Sequence, residues 1–175
     1  WYEDLRKGTP SLYRDYARTK ARCMALRPYV EAHAHPECLT HGDCKPDNFL
    51  FSTDENGEVK LQLIDWEYAF NCDPLFDIAG FIAYRPYDPA FTELVIRSYW
   101  PEGCTDEDRL LLLAYCALWA MQTSNWCEQR ISQGVNVDEF ALTCYRNTKA
   151  FCREFVKDRA CGTGRLVVII IHPAP

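Results

Sequence analysis

Several features that would announce a function are missing from this chain. It has no tract of lysines and arginines, and its formal net charge is −6. Binding to nucleic acid rests mainly on basic side chains that neutralise phosphates, so no nucleic-acid partner is expected. An acidic protein suits a neutral or cationic small molecule better. The longest uninterrupted apolar run, Leu110 to Met121, falls well short of the ~20 residues that span a bilayer. No signal peptide opens the chain. Together these absences predict a cytoplasmic protein with no membrane contact. There is no internal repeat and no low-complexity segment. There is also no C-x-x-C pair and no Cys/His cluster at zinc-ligand spacing, although the chain has ten cysteines. Several of them fall within apolar helical patterns, where a free cysteine acts as a small hydrophobe. They are read as reduced, buried thiols, with a disulfide framework as the alternative. An initiator methionine is absent as well. The first residue is Trp1, so part of the functional protein is expected upstream.

What remains is an ordinary globular balance, with 48% hydrophobic and 25% charged residues over 175 positions, enough for one domain with a real core. Thr9-Pro10-Ser11 predicts a helix start, with a threonine cap and proline in the first turn. Leu12, Tyr16, Cys23, Leu26 and Val30 follow on one apolar face. Arg14, Arg18, Lys20 and Arg22 lie on the remainder, as a solvated face or a helper for an anionic ligand. Glu31 to Leu39 reads as a loop. Its His33 and His35 have the spacing of a metal-binding pair, but no third ligand accompanies them, so they are taken as plain loop histidines.

The next stretch holds the chemistry. Phe49-Leu50-Phe51 reads as a short strand. Glu55-Asn56-Gly57 reads as a hairpin turn, because Asn-Gly tolerates positive φ at both central positions. Val59, Leu61 and Leu63 alternate with Lys60 and Gln62, which predicts a half-buried return strand. Asn48 precedes the first strand and Asp65 follows the second. Antiparallel pairing therefore brings these two oxygen-bearing side chains together, within reach of one ion. Asn71-Cys72-Asp73-Pro74 reads as a turn that opens a buried apolar helix from Asp77 to Tyr84. Pro86 and Pro89 end it, and a second short helix runs from Phe91 to Trp100.

Thr105-Asp106-Glu107-Asp108 resembles a capping box, and acids there suit the helix dipole. The helix it starts is apolar nearly all round from Leu110 to Met121, which marks it as central. It turns polar at Gln122-Thr123-Ser124-Asn125, continues through Trp126 to Arg130, and ends at Gly134. Val137, Phe140, Ala141, Cys144, Tyr145, Thr148, Phe151, Cys152 and Phe155 then repeat at helical spacing. Beyond Ala160, Gly162 and Gly164 are expected to break that helix. Leu166 to Ile171 is a β-branched run that reads as an added edge strand or a non-native end, and no function is assigned to it.

Phosphoryl transfer to an alcohol needs a carboxylate to take or orient the hydroxyl proton. It also needs oxygen ligands that hold Mg²⁺ against the ATP phosphates. Asp43 is the candidate base, and Asn48 and Asp65 are the candidate metal ligands. Oxygen donors of this kind suit Mg²⁺ rather than zinc.

His41-Gly42-Asp43, with Asn48 five residues after the aspartate, resembles the catalytic loop of the protein-kinase-like superfamily. Gly42, where protein kinases have arginine, points to the aminoglycoside phosphotransferase and choline/ethanolamine kinase branch. Ile64-Asp65-Trp66-Glu67-Tyr68-Ala69 and Asp73-Pro74-Leu75-Phe76-Asp77-Ile78-Ala79 look most like bacterial choline kinases and thiamine-type kinases. The resemblance implies an α+β, mainly helical fold: a kinase-like C-terminal lobe over residues 1–160, with a short catalytic β-hairpin. The catalytic and metal motifs would occupy 39–80 and a helical subdomain 81–160, with 161–175 a separate tail.

It further implies that Asp43 is the base, that Asn48 and Asp65 ligate Mg²⁺, and that Leu50 and Ile64 floor the adenine of ATP. His41 would support the loop. Asp77 would brace it through backbone hydrogen bonds, or else be a plain helix cap. Lys45 stands where protein kinases place a phosphate-contacting lysine, so it is either that or a solvated lysine. Glu67, Tyr115, Trp119, Trp126 and Tyr145 are the candidates to hold the acceptor, a choline-like cationic alcohol, with aromatic core packing as the alternative for the four rings.

No phosphate-covering loop and no strand-lysine and helix-glutamate pair precede residue 39. The expected β-rich N-terminal lobe is therefore not in this sequence, and the chain alone is expected to bind ATP poorly and be inactive. Two functions are carried forward: the larger part of an active small-molecule kinase, for choline or an aminoglycoside, and a non-catalytic kinase-like remnant that serves as a binding module.

Overall fold

In the computed structural model, residues 2–163 are described. Seven helices run in order: α1 (Tyr2–Leu5), α2 (Tyr16–Met24), α3 (Arg27–His33), α4 (Leu75–Ala83), α5 (Pro89–Tyr99), α6 (Asp106–Ser132) and α7 (Asp138–Thr163). Between α3 and α4 lie four short strands: β1 (Cys38–Thr40), β2 (Phe49–Thr53), β3 (Val59–Leu63) and β4 (Phe70–Cys72). They form two separate antiparallel pairs, β2 with β3 and β1 with β4. The chain is α+β and mainly helical.

α6 is the axis of the molecule, and α1, α2, α3, α4 and α7 all pack on it. Neighbours on every side explain why its sequence is apolar all round. Leu111, Leu112 and Leu113 are buried in succession, against Leu75 and Ile82 of α4 and Phe151 and Phe155 of α7 within one continuous core. Thr105 caps α6, its hydroxyl accepting the Asp108 N–H at 3.1 Å. Arg109 ties three helices together, pairing with Glu93 of α5 and Asp158 of α7. All ten cysteines are free thiols, and Cys23, Cys44, Cys116, Cys127, Cys144 and Cys152 are buried.

Several expectations need correction. The first helix does not start at Thr9, and it is two helices. Residues 9–15 are irregular and Leu12 is exposed. The segment is held instead by Glu128 of α6, which takes the Ser11 hydroxyl at 2.7 Å and the Leu12 N–H at 3.3 Å. A second helix begins around Pro28, with proline in its first turn and Leu26 buried just ahead of it. His33 ends α3 rather than lying in a loop. Asn71 and Cys72 belong to β4, paired with Leu39 and Cys38, so the turn there is shorter than expected. Gly162 does not end α7, whose bounds reach Thr163. The run Leu166 to Ile171 lies outside the described residues.

The hairpin register is Phe49↔Leu63 through Thr53↔Val59, which leaves a five-residue loop, 54–58. Only Gly57 in it has positive φ. The Asp54 carboxylate closes the loop by accepting from the Asn56 and Glu58 amides at 2.9 and 3.0 Å. This is not the two-residue turn that Asn-Gly suggested. Nor is β3 half-buried: Val59 and Leu61 are 70% and 56% exposed. Among the described residues the hairpin is anchored through Phe49, whose ring meets Phe81 of α4 edge to face.

Candidate active site

The site begins at the base of the hairpin. The ladder continues one step beyond the strands, with Ile64 N–H donating to Asn48 O at 3.0 Å. That bond fixes Asn48 and the residue after Ile64, Asp65, at the same end. Asp65 has φ 67 and ψ 58, one of two left-handed non-glycine residues among those described. Aspartate tolerates this conformation better than most residues, and such outliers cluster at functional sites.

His41 is buried and joins the two motifs. Its Nε2 lies 2.7 Å from Ile64 O, and its Nδ1 accepts the Asp43 N–H at 3.3 Å. Trp66 packs edge to face on its ring, with centroids 4.8 Å apart. The Asp77 carboxylate accepts the His41 and Gly42 amides at 2.7 and 2.9 Å. Gly42 is required twice over. Its φ is +79, and a Cβ added there would lie 2.2 Å from Tyr68 O. An arginine, as in protein kinases, does not fit this loop.

Asn48 donates Nδ2 to Asp43 O at 2.8 Å and to Asp43 Oδ2 at 3.2 Å. The nitrogen of its carboxamide is thus turned toward Asp43 and its oxygen away. Lys45 Nζ sits 2.6 Å from the same Oδ2. Partial burial pulls the Lys45 pKa down, but the hydrogen bond and charge of Asp43 raise it above the ordinary lysine value. The oxygens of Asn48 and Asp65 are hard donors of the type Mg²⁺ accepts. Among the described residues, no three His, Cys, Asp or Glu side chains come together as a metal cage. Two protein ligands with the remainder from phosphates and water is the usual Mg²⁺ arrangement, so the donor set fits.

Leu50 pairs with Gln62, so Leu50 and Ile64 fall on one face of the hairpin. Both are exposed, 46% and 40%.

Asp43, Lys45, Asp65 and Glu67 line a cleft of about 210 Å³. Aromatic residues line it as well. Trp119 and Trp126 of α6 belong to it; Tyr115 and Tyr145 do not. Tyr115 is buried, edge to face with Phe76. Tyr145 is stacked on Tyr13 and hydrogen-bonded to Asp15 and Thr19. Neither ring lines the cleft, and both are packed within the fold. Four aromatic residues that sequence reading did not single out also line the cleft: Tyr2, Tyr68, Tyr84 and Phe140. Gln122 and Thr123 also line the cleft. With Trp119 and Trp126 they make a stripe at i, i+3, i+4 and i+7 on α6. The polar interruption of an otherwise apolar helix was the available signal.

Residues 3–113, more than half of the chain, match the profile of the phosphotransferase enzyme family. The chain belongs to this family. Protein LicA of Haemophilus influenzae is 29% identical over 112 residues, an overlap of 58% of this chain and 39% of that protein. Choline kinase LicA from Streptococcus pneumoniae superposes with a TM-score of 0.70 at 21% identity, covering 87% of this chain and 52% of its own. A choline/ethanolamine kinase family protein from Mesorhizobium loti gives a TM-score of 0.69 at 21% identity, over 89% of this chain and 52% of its own. LicA in complex with AMP gives 0.68 at 20%, over 88% and 54%. The chain therefore spans between 39% and 54% of the length of these relatives. It shares the fold of the corresponding part of choline kinases. Among the described residues no helix is long and apolar enough to cross a membrane.

Proposed function

We propose that this chain carries the catalytic centre of an ATP- and Mg²⁺-dependent phosphotransferase whose acceptor is the hydroxyl of a small cationic alcohol of the choline type. One observation supports this above the others. One cleft is lined both by Asp43 and Asp65 and by Trp119 and Trp126. A carboxylate pair suits phosphoryl transfer, and aromatic faces suit a quaternary ammonium.

On this reading Asp43 takes the acceptor's proton at Oδ1, since Asn48 and Lys45 both engage Oδ2. Asn48 holds the carboxylate in one orientation. Asp65 and the Asn48 carboxamide oxygen would hold Mg²⁺, which when bound neutralises the charge of the phosphates. Lys45 is within reach of the same space and can pass from Asp43 to a phosphate oxygen. Leu50 and Ile64 supply an apolar floor for a nucleotide base, in keeping with a relative that binds AMP. Trp119, Trp126 and the exposed Glu67 carboxylate would seat the cationic head group. The chain would then be the lobe that holds the catalytic loop and the acceptor, with the nucleotide's phosphates covered by a second lobe.

The test is ATP- and Mg²⁺-dependent phosphorylation of a panel of choline, ethanolamine, thiamine and aminoglycosides by the full-length protein with both lobes present. Choline is expected to give the highest kcat/KM. Asp43→Asn is expected to lower kcat by about 10²–10⁴-fold with the fold retained. A choline rate unchanged by Asp43→Asn would sink the assignment of the base. Preference for an aminoglycoside would sink the assignment of the acceptor.

A further inference from the structure

A buried polar network joins the first residues of the chain to one turn of α6. Arg6 and Glu128 are 6% and 3% exposed, and Arg6 Nη1 pairs with Glu128 Oε2. Glu128 also holds Ser11 Oγ and the Leu12 N–H. Arg6 Nη2 donates to Asn125 Oδ1 at 3.4 Å, and the Tyr16 hydroxyl oxygen lies 2.6 Å from the same oxygen. Asn125 in turn is fixed by its own Nδ2, which donates to Met121 O at 3.0 Å. Glu3 of α1 accepts from Tyr16 and Lys20.

A buried ion pair adds little stability over apolar packing of the same volume, but it does fix geometry. α1 is four residues long and has no buried residue of its own. Buried apolar side chains of its own therefore do not locate it, and the network adjoins it through Glu3 and Arg6. One helical turn before Arg6 stands Tyr2, which lines the cleft. Between Asn125 and Glu128 stands Trp126, which lines it too. The network thus bridges the two chain segments that supply these two rings.

We propose that Arg6 and Glu128 are positioning residues for the acceptor end of the cleft. Their ion pair holds α1 on α6 so that Tyr2 completes the aromatic wall begun by Trp119 and Trp126. This sets how well a cationic head group is enclosed. The proposal rests on the acceptor reading above, and it adds residues remote from the reacting atoms.

The test compares, in the full-length protein with both lobes present, wild type, Tyr2→Ala, the double variant Arg6→Met/Glu128→Gln, and the triple variant. Two readouts are used: choline and ATP kinetics, and trypsin cleavage after the exposed Lys7. Tyr2→Ala and the double variant are each expected to raise the choline KM about tenfold, the scale of one cation–π contact. The kcat and the ATP KM stay within about twofold in both. The triple variant is expected to be no worse than the double, because both routes remove the same ring. Cleavage is faster in the double variant and unchanged in Tyr2→Ala. An active wild type whose variants keep its choline KM overturns this proposal alone. So does a double variant cleaved no faster than wild type. A wild type that turns over no cationic alcohol overturns the acceptor reading and this proposal with it. If the double variant does not fold, Tyr2→Ala against Tyr2→Phe decides, since Phe keeps the ring and should restore the KM.

Discussion

The two oxygens of Asp77 are shared between two successive amides of the loop that leads into Asp43, His41 N–H at 2.7 Å and Gly42 N–H at 2.9 Å. A carboxylate from α4 thus clamps the backbone that carries Asp43. Asp77→Asn keeps the shape but presents an NH₂ group to one of those amides. A hydrogen bond to a charged group is worth about 1.5–3 kcal/mol. The expected result is a fall in kcat of about 10- to 100-fold with the KM for ATP and acceptor little changed. Steady-state kinetics beside a circular dichroism spectrum would check it. A variant with normal kcat would mean that Asp77 is a helix residue with no hold on the loop.

Gly80 of α4 faces Trp119 of α6. A Cβ built on Gly80 lies 2.9 Å from Trp119 Nε1 and 3.3 Å from Cε2. The missing side chain is the room in which the indole lies. Gly80→Ala must push the ring toward the cleft or the backbone apart, and overpacking of this kind costs about 1–3 kcal/mol. The variant is expected to melt several degrees lower and to lose acceptor affinity more than ATP affinity. Equal losses for both substrates would place the damage in the fold and not in the acceptor wall.

The parts of this site set by local chemistry were legible in the sequence. Asn48 and Asp65 come to the same end of the hairpin because β2 and β3 pair, and that pairing lies in adjacent residues. α6 read as central because it has no polar face. The same property hid which of its aromatics face the cleft. Tyr115 lies one turn before Trp119, yet it points at Phe76 rather than at Asp65. A uniformly apolar helix has no phase to read. The error at Thr9 has a different origin. The cap signal is real, but Glu128, 117 residues beyond Ser11, competes for the segment and wins. The hairpin's apolar strip was read as half-buried from its period, which says only that one face is apolar and not whether anything covers it.

His35 sits between two carboxylates. Its backbone N–H donates to Asp73 Oδ2 at 2.7 Å, its Nδ1 lies 3.3 Å from Asp73 Oδ1, and its Nε2 lies 2.9 Å from Asp108 Oδ1. Partial burial lowers its pKa, but the hydrogen bonds and charges of Asp73 and Asp108 outweigh this and raise it above the ordinary 6.5. A raised histidine stabilises the fold while protonated. Its contribution is full below about pH 6.5 and is lost as pH rises through the raised value. Thermal unfolding measured from pH 6 to pH 8.5 should show a declining midpoint that is flatter in His35→Gln. Parallel curves for the two proteins would remove His35 from the account.

Asn147 of α7 is buried at 1% exposure and stitches the end of α4. Its Nδ2 donates to Ala83 O at 2.7 Å and Arg85 O at 2.8 Å, and its Oδ1 accepts the Tyr87 N–H at 2.9 Å. Asn147→Ala leaves two carbonyls and one amide without these partners. A buried group so abandoned costs about 1–3 kcal/mol, so the loss should reach about 3 kcal/mol, or roughly 6–12 °C in melting temperature for a chain of this size. Asn147→Asp should be no milder despite equal size, because it offers an acceptor to two carbonyls. The damage should also reach the cleft. Tyr84, which closes α4 and lines the cleft, sits one residue from each carbonyl that Asn147 holds, and its hydroxyl reaches Asp47 at 3.2 Å. Asn147→Ala is therefore expected to raise the acceptor KM at temperatures where it remains folded. Tyr84→Phe, which keeps the ring and drops only the Asp47 contact, should leave that KM nearly unchanged, and a large effect of Tyr84→Phe would move the importance from the ring to the hydroxyl.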